Sequence, residues 1–241
     1  MPESDESRWA DKEFARKYLE AADVQIVERR RLLVILKSFY KHFFGGKKQS
    51  RVLDLGCGDG VLTAALLEVD GSISATLVDG SEAMLNKAKE RLAGFAGVRF
   101  IRASFQELLR KGEVQLPVFD FVVSAFAVHH LTTGEKKALF RYIYSLLDNR
   151  GYFVNLDVIL APAKALEDWY LQLWREWIAE RQAALKLEGG YAEIIRNYKE
   201  ESHYRNLDTL ADQLDALKEV GFKGVDCFYK YGVFAIYGGR K

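Results

Sequence analysis

Three glycines, Gly56, Gly58 and Gly60, alternate within the stretch RVLDLGCGDGVL, Arg51 to Leu62. An apolar run, Val52 to Leu55, leads into them, and an apolar helical pattern starts at Val61. Glycine reaches backbone conformations closed to other residues and lets the main chain approach a ligand closely. The helix that follows points its free N–H groups and positive end into the same space, which suits an anion. Asp79 closes the next strand-like run, 21 positions after Gly58. An acidic side chain there can accept hydrogen bonds from both hydroxyls of a ribose. Taken singly, the glycines also read as a tight strand-to-helix turn and Asp79 as a helix-start residue. Taken together, they point to a nucleoside. The dinucleotide fingerprint G-x-G-x-x-G/A fails at its sixth position, which is Val61, and no Gly-Lys-Ser/Thr follows to make a P-loop.

A second group could handle protons. His129 and His130 follow the strand-like FDFVVS, and Asp157 ends the strand-like YFVNLDV. Histidine is the usual base near neutral pH. The plainer reading is that one histidine packs against the next helix and Asp157 is a polar strand end. His203 could join them around a metal, but adjacent histidines on a chain usually diverge and no ligand spacing supports it, so no metal is expected. Cys57 and Cys227 have no metal-type spacing and are too few for a disulfide scaffold.

The elements that must position these residues alternate. The spacing predicts strands at Val52–Leu55, Ser74–Asp79, Val98–Arg102, Phe119–Ser124 and Tyr152–Val158. Helices are expected between them at Val61–Val69, Ser81–Leu92 (capped by Ser81), Ser104–Lys111 and Gly134–Leu147. This is the pattern of βαβ units in a mainly parallel sheet covered on both faces. Residues 8–44 read as one helix, ended by Gly45-Gly46. Pro162–Asn206 reads as about 45 helical residues rich in Trp and Tyr. A helix at Leu207–Val220 and a hairpin, Gly224–Lys230 with Gly232–Tyr237, close the chain.

The strings VLDLGCGDG, LVDGSEAML, FDFVVSAFAVHHL and LLDNRGYFVNLD resemble the successive motifs of class I S-adenosylmethionine-dependent methyltransferases, from about Arg51 to Asp157. The resemblance implies an α/β fold: a doubly wound, seven-stranded, mainly parallel Rossmann-like sheet of order 3-2-1-4-5-7-6 with a helical cap. It divides the chain into an N-terminal cap (1–48), a cofactor-binding core (49–160), a cap insertion (161–206) and a last helix with an antiparallel hairpin (207–241). It implies S-adenosylmethionine as cofactor and S-adenosylhomocysteine as product. By the same resemblance, Asp54 and the backbone of Gly56, Cys57, Gly58 and Gly60 face the methionine half. Asp79 holds the ribose, and Gly80 and Met84 lie beside the adenine. Relatives often carry Gly-Asp after the third strand; here Ala103-Ser104-Phe105 leaves Ser104 and the Phe105 backbone as candidates, with Gln106 and Glu107 beyond. Ser124, Ala125 and Phe126 would floor the site, and Tyr18 would close over it. Family members often carry a histidine-rich loop where His129 and His130 stand, which makes them and Asp157 the catalytic candidates.

In DWYLQLWREWIAERQ, Trp169, Leu173 and Trp177 share one helical stripe, and Tyr170 and Trp174 another. The reading is core between cap and sheet, or an aromatic pocket, a theme that Tyr191, Tyr198 and Tyr204 continue. Arg29, Arg30, Arg175 and Arg196 could bind an acidic substrate, and nothing in the sequence singles one out. The leading expectation is methyl transfer to O or N of a small molecule. A carboxy-S-adenosylmethionine synthase-like enzyme, which needs a positive group for a second carboxylate, and a non-catalytic cofactor-binding protein are the alternatives. A net charge of +1 over 241 residues gives no footprint for bulk nucleic-acid binding. No Asn/Asp-Pro-Pro-Tyr motif follows the fourth strand, which argues against base methylation. The polar, acidic start lacks a signal-peptide pattern, and no apolar run is long enough to span a bilayer. A cytoplasmic monomer or homodimer is expected.

Overall fold

A computed structural model describes residues 22–110, 112–186, 195, 198 and 202–241. Tyr18, Tyr191 and Arg196, and the side chain of His203, lie outside what it describes. The strands are β1 (Arg51–Leu55), β2 (Ser74–Asp79), β3 (Val98–Arg102), β4 (Phe119–Ala125), β5 (Leu147–Val158), β6 (Lys223–Tyr231) and β7 (Phe234–Arg240). They form one seven-stranded sheet of order β3-β2-β1-β4-β5-β7-β6. β1 to β5 run parallel, and β7 is antiparallel to both β5 and β6. The chain reverses its winding between β1 and β4, so the crevice for a ligand opens beyond the carboxyl ends of these two strands.

The central strands are buried on both faces, which is why they read as largely apolar runs and not as alternating ones. On one face, Val52, Phe121 and Val154 pack with Leu36, Tyr40 and Phe44 of α1 (Arg29–Phe44), Leu62 and Leu66 of α2 (Val61–Leu67) and Leu85 of α3 (Glu82–Arg91). On the other, Leu53, Val122 and Phe153 pack with Leu108 of α4 (Phe105–Leu109), Leu139 and Phe140 of α5 (Thr133–Leu146) and Leu217 of α7 (Leu210–Val220). Ser81 caps α3, its hydroxyl accepting from Met84 N at 3.3 Å, and capping boxes start α4, α5 and α7. β5 starts five residues before the predicted Tyr152. A register shift opposite Phe119 and Phe121 carries the Asp148–Gly151 turn, with Arg150 at φ 71°, into the strand.

Both predicted cap helices are interrupted. The first breaks at residues 26–28, where Glu28 sits at φ 53°. The break has a packing cause. Val24 and Val27 join a cluster with Trp174, Ile178 and Phe234, whereas Ala22, Ile26, Leu32, Leu36 and Tyr40 belong to the sheet-side cluster. A straight helix cannot present one apolar stripe to both. The second is α6 (Lys164–Leu185), which Lys186 ends at φ 52°; a 3₁₀ turn spans Ser202–Asn206. Of the two aromatic stripes, the one through Trp174 is core: its ring meets Tyr198 and Phe234 edge-on at 5.4 and 5.2 Å, and its Nε1 donates to Gln25 O at 2.8 Å. Trp169 is 54% exposed. No helix among the described residues is long and apolar enough to cross a membrane.

Candidate cofactor and substrate site

The three glycines do different work. All have positive φ: 63° at Gly56, 53° at Gly58 and 75° at Gly60. A Cβ on Gly56 would lie 2.4 Å from the Ala127 Cβ, and one on Gly60 would press on Ala88 and Leu92 at 3.2 Å. These two let the turn pack against its neighbours. A Cβ on Gly58 would meet nothing within 4 Å, so this glycine faces open space. The Gly58 N–H donates to Asp79 Oδ2 and the Ser81 N–H to Asp79 Oδ1, each at 2.8 Å. Asp79 thus ties the end of β2 to the glycine turn. Gly56→Ala is expected to cost about 2–4 kcal/mol of stability, from overpacking plus a left-handed backbone, in chemical denaturation. Gly58→Ala is expected to cost only about 1 kcal/mol, with its larger effect on ligand binding.

Asp54 is fully buried at the carboxyl end of β1. Its Oδ2 accepts from the Thr63 hydroxyl of α2 at 2.7 Å, and its Oδ1 is buried with no hydrogen-bond partner among the described residues. Burial pushes its pKa from 3.8 up to about 7, against the pull of the Thr63 bond. The native state therefore keeps a proton that the unfolded chain loses near pH 4. This contribution favours the native state at low pH and is lost as pH rises from about 4 to about 7. Asp54→Asn is expected to remove that dependence, a slope of up to about 1.4 kcal/mol per pH unit, measured as denaturation midpoints across that window. An unpartnered buried acceptor of this kind fits a ligand ammonium.

An open cleft lies between the start of α1 and the glycine turn. Asp54, Gly56, Cys57, Gly58, Met84, Ala125 and Phe126 line it, joined by Ile26, Arg29 and Leu33, which the sequence did not single out for this role. Cys57 is buried, and burial raises its thiol pKa further, so it packs as an apolar group. Phe126 sits at φ 52°, a strained conformation for an aromatic residue, fixed by its N–H donating to Leu156 O at 2.8 Å. Other sequence candidates stand back from the wall. Gly60 packs on α3, and Gly80 lies against the Ser104 backbone. Ser124 donates its hydroxyl to Leu55 O at 2.7 Å. The Ser104 hydroxyl is engaged with Glu107 in the capping box of α4. The Phe105 ring packs beneath Gly56. Asp59 also lines the cleft and is clamped to Arg91 of α3 by a side-chain ion pair.

The proton-handling group assembles from β4 and β5. His129 lies in the 3₁₀ turn Val128–His130 and is 7% exposed. Its Nδ1 lies 2.5 Å from Asp157 Oδ1, and its backbone N–H donates to Asp157 Oδ2 at 3.0 Å. Asn155 Nδ2 donates to the same Oδ2 at 3.2 Å and to the Tyr237 hydroxyl at 2.8 Å, which donates to Gln213 at 3.2 Å. Gln213 and the buried Lys136 converge on Asp208 at 3.0 and 2.7 Å. His130 turns its carbonyl toward Asn206 Nδ2, 2.8 Å away, and so helps to anchor the return of the cap. Neither histidine lines the cleft; they lie beyond Phe126, beside the Ser202–Asn206 turn. Among the described residues, no group of three or more His, Cys, Asp or Glu side chains is placed to hold a metal ion.

A family described as "Methyltransferase domain" matches residues 52–151. That range holds the glycine turn, Asp79 and the β4 turn in a sheet of the order found above. Over these residues the chain is similar to a methyltransferase domain. Solved structures similar to the whole fold include an O-methyltransferase family protein from Burkholderia thailandensis, with a TM-score of 0.68 at 14% identity, covering 100% of this chain and 64% of that one. Human N-acetylserotonin methyltransferase in complex with S-adenosylmethionine has a TM-score of 0.64 at 16% identity, covering 100% of this chain and 59% of that one. The chain thus spans about three fifths of these longer methyltransferases. In sequence, residues 52–151 and their flanks are similar to carboxy-S-adenosyl-L-methionine synthases. That of Nautilia profundicola is 24% identical over 206 residues, covering 84% of this chain and 80% of the relative. That of Methylococcus capsulatus is 26% identical over 189 residues, covering 76% and 73%.

Proposed function

We propose that the protein is an enzyme that transfers the methyl group of S-adenosylmethionine to O or N of a small molecule. The observation that carries the cofactor is that a buried Asp54 Oδ1, without a partner among the described residues, and the Gly58 turn line one cleft, with Asp79 set back from the lining and tied to that turn through the Gly58 N–H. In this reading Asp54 accepts from the amino group of the methionine part. The Gly58 backbone lies against that part, Asp79 accepts from the ribose hydroxyls, and Met84 packs beside the base. Gly80, Ser104 and Phe105 border the adenine end, and Ser124 holds the floor formed by Ala125 and Phe126. The cofactor supplies a sulfonium methyl and its own leaving group, so the protein's main tasks are alignment and exclusion of water. His129, oriented by Asp157, takes the acceptor's proton where that acceptor carries one. The site is expected to act on small molecules in the cytoplasm.

The similarity to carboxy-S-adenosyl-L-methionine synthases supports a second reading, in which the sulfonium methyl of the cofactor loses a proton and the resulting carbanion adds to CO2 released by a second, carboxylate-bearing substrate. Arg29 gives the cleft a cation for such chemistry. Calorimetric titration with S-adenosylmethionine and S-adenosylhomocysteine tests the cofactor, with micromolar binding expected. No binding to folded, ligand-stripped protein sinks both readings. Mass spectrometry of nucleosides retained by the freshly isolated protein separates them, since a carboxylated cofactor is heavier than S-adenosylmethionine.

A further inference from the structure

Arg29 opens α1 at the rim of the cleft, on the same lining as Asp54, Gly56 and Gly58. The helix end it occupies is electrostatically unbalanced. Glu28 holds the N-cap position at φ 53° and makes no side-chain cap, and the first turn contains no acidic residue. Arg29, Arg30 and Arg31 fill that turn instead. The N-terminal end of a helix carries the positive end of its dipole, so three cations there repel it and one another. Among the described residues Arg29 meets one carboxylate: its Nη1 lies 2.6 Å from Asp23 Oδ1, and the Asp23 side chain is 45% exposed. That partner sits on the helical turn before the break, outside α1.

The Asp54 Oδ1 atom belongs to the same cleft and is fully buried without a partner among the described residues. The cleft therefore offers an acceptor with no donor, and a cation at a helix end short of negative charge. Together they complement the two charges of an α-amino-acid group: the ammonium for Asp54 and the carboxylate for Arg29. Arg30 and Arg31 are exposed and do not line the cleft, which singles out Arg29 among the arginines of this turn.

We infer that Arg29 is the carboxylate clamp of the cleft, held by Asp23 and handed over to the carboxylate of an α-amino-acid ligand end whose ammonium Asp54 accepts. The inference rests on the cofactor reading above and assigns the amino-acid end of that cofactor to a residue of the N-terminal cap. Asp23 then competes with the ligand for the same guanidinium. A guanidinium meets a carboxylate with two parallel donors, so an ammonium at this position is a poorer substitute.

Two nucleosides separate the amino-acid end from the rest: S-adenosylhomocysteine, which carries it, and 5′-methylthioadenosine, which does not. Calorimetry on the full chain is expected to show Arg29→Gln weakening S-adenosylhomocysteine by about 10- to 100-fold, the worth of a charged hydrogen bond. Binding of 5′-methylthioadenosine should stay within about twofold. Arg29→Lys should fall between wild type and Arg29→Gln. Asp23→Asn, which removes the competitor, should tighten S-adenosylhomocysteine by about two- to tenfold. Equal affinity of wild type and Arg29→Gln for S-adenosylhomocysteine overturns the clamp and leaves the cofactor reading standing. Equal loss of both nucleosides in Arg29→Gln overturns it as well, because the residue is then a structural support. Wild-type protein that binds neither nucleoside overturns the cofactor reading and the clamp with it.

Discussion

Asp79→Ala is expected to weaken S-adenosylhomocysteine binding by about 100-fold or more, with the protein still folded. Each Asp79 oxygen accepts one backbone N–H, from Gly58 or from Ser81, at 2.8 Å. Each keeps a lone pair for a ribose hydroxyl. Hydrogen bonds to a charged acceptor contribute about 1.5–3 kcal/mol each. Losing two of them reaches two decades in affinity even at the low end. The Gly58 N–H also loses the anchor that sets the turn's position against the ligand. Asp79→Asn should fall between, because an amide cannot accept from both Gly58 and Ser81 at its two ends. Folding should survive, since the Ser81 hydroxyl still caps α3. Calorimetry on wild type and both variants, with melting curves as control, decides the matter. Wild-type affinity in Asp79→Ala would show that this carboxylate serves only the loop.

His129→Ala is expected to lower kcat by about 10²–10⁴-fold for an acceptor that loses a proton, with cofactor affinity unchanged. The reason is geometric. Asp157 takes the His129 ring at Nδ1 and fixes it further through the His129 backbone N–H, so in the proposed role a substrate would have to reach the ring at Nε2. Asp157 is itself held by Asn155 and by the Val158 N–H at 2.9 Å. Asp157→Asn should therefore lower kcat by a smaller factor and leave KM for the cofactor alone. An acceptor without a proton at its nucleophilic atom should be indifferent to both variants. Normal turnover of a protonated acceptor by His129→Ala would make the dyad a structural knot. In that case the observable loss would be in melting temperature, because His129 and Asp157 lie 7% and 2% exposed in a connected polar network.

The strands and their alternation with helices were legible because the parallel strands are short, largely apolar runs and α3, α4, α5 and α7 each start at a side-chain cap; the strand order was implied by the family resemblance. Ser74–Asp79 and Val98–Arg102 come out with the bounds the sequence predicts. The helical caps were less legible. A periodic apolar pattern states that a segment is helical, but not which of two partners each stretch packs against. The break at residues 26–28 follows from that choice, with Val24 and Val27 going to the cap cluster and Leu32 and Leu36 to the sheet.

The site divides in the same way. The sequence by itself determined the residues tied to the ends of the strands: Asp54, the glycine turn and Asp79. Their places are set by local chain direction, and a tight turn that needs positive φ must be written in glycine. Only the tertiary structure decided which glycine has open space where its side chain would be, because the answer depends on Ala127 and Ala88, far along the chain. It alone brought His129 to Asp157 across 28 residues, and it alone picked Arg29 from the basic run by placing it on the cleft. Residue type fixes what a group can do to a proton or a charge. Contacts between distant segments fix which groups share a space with a ligand, and no local pattern records that.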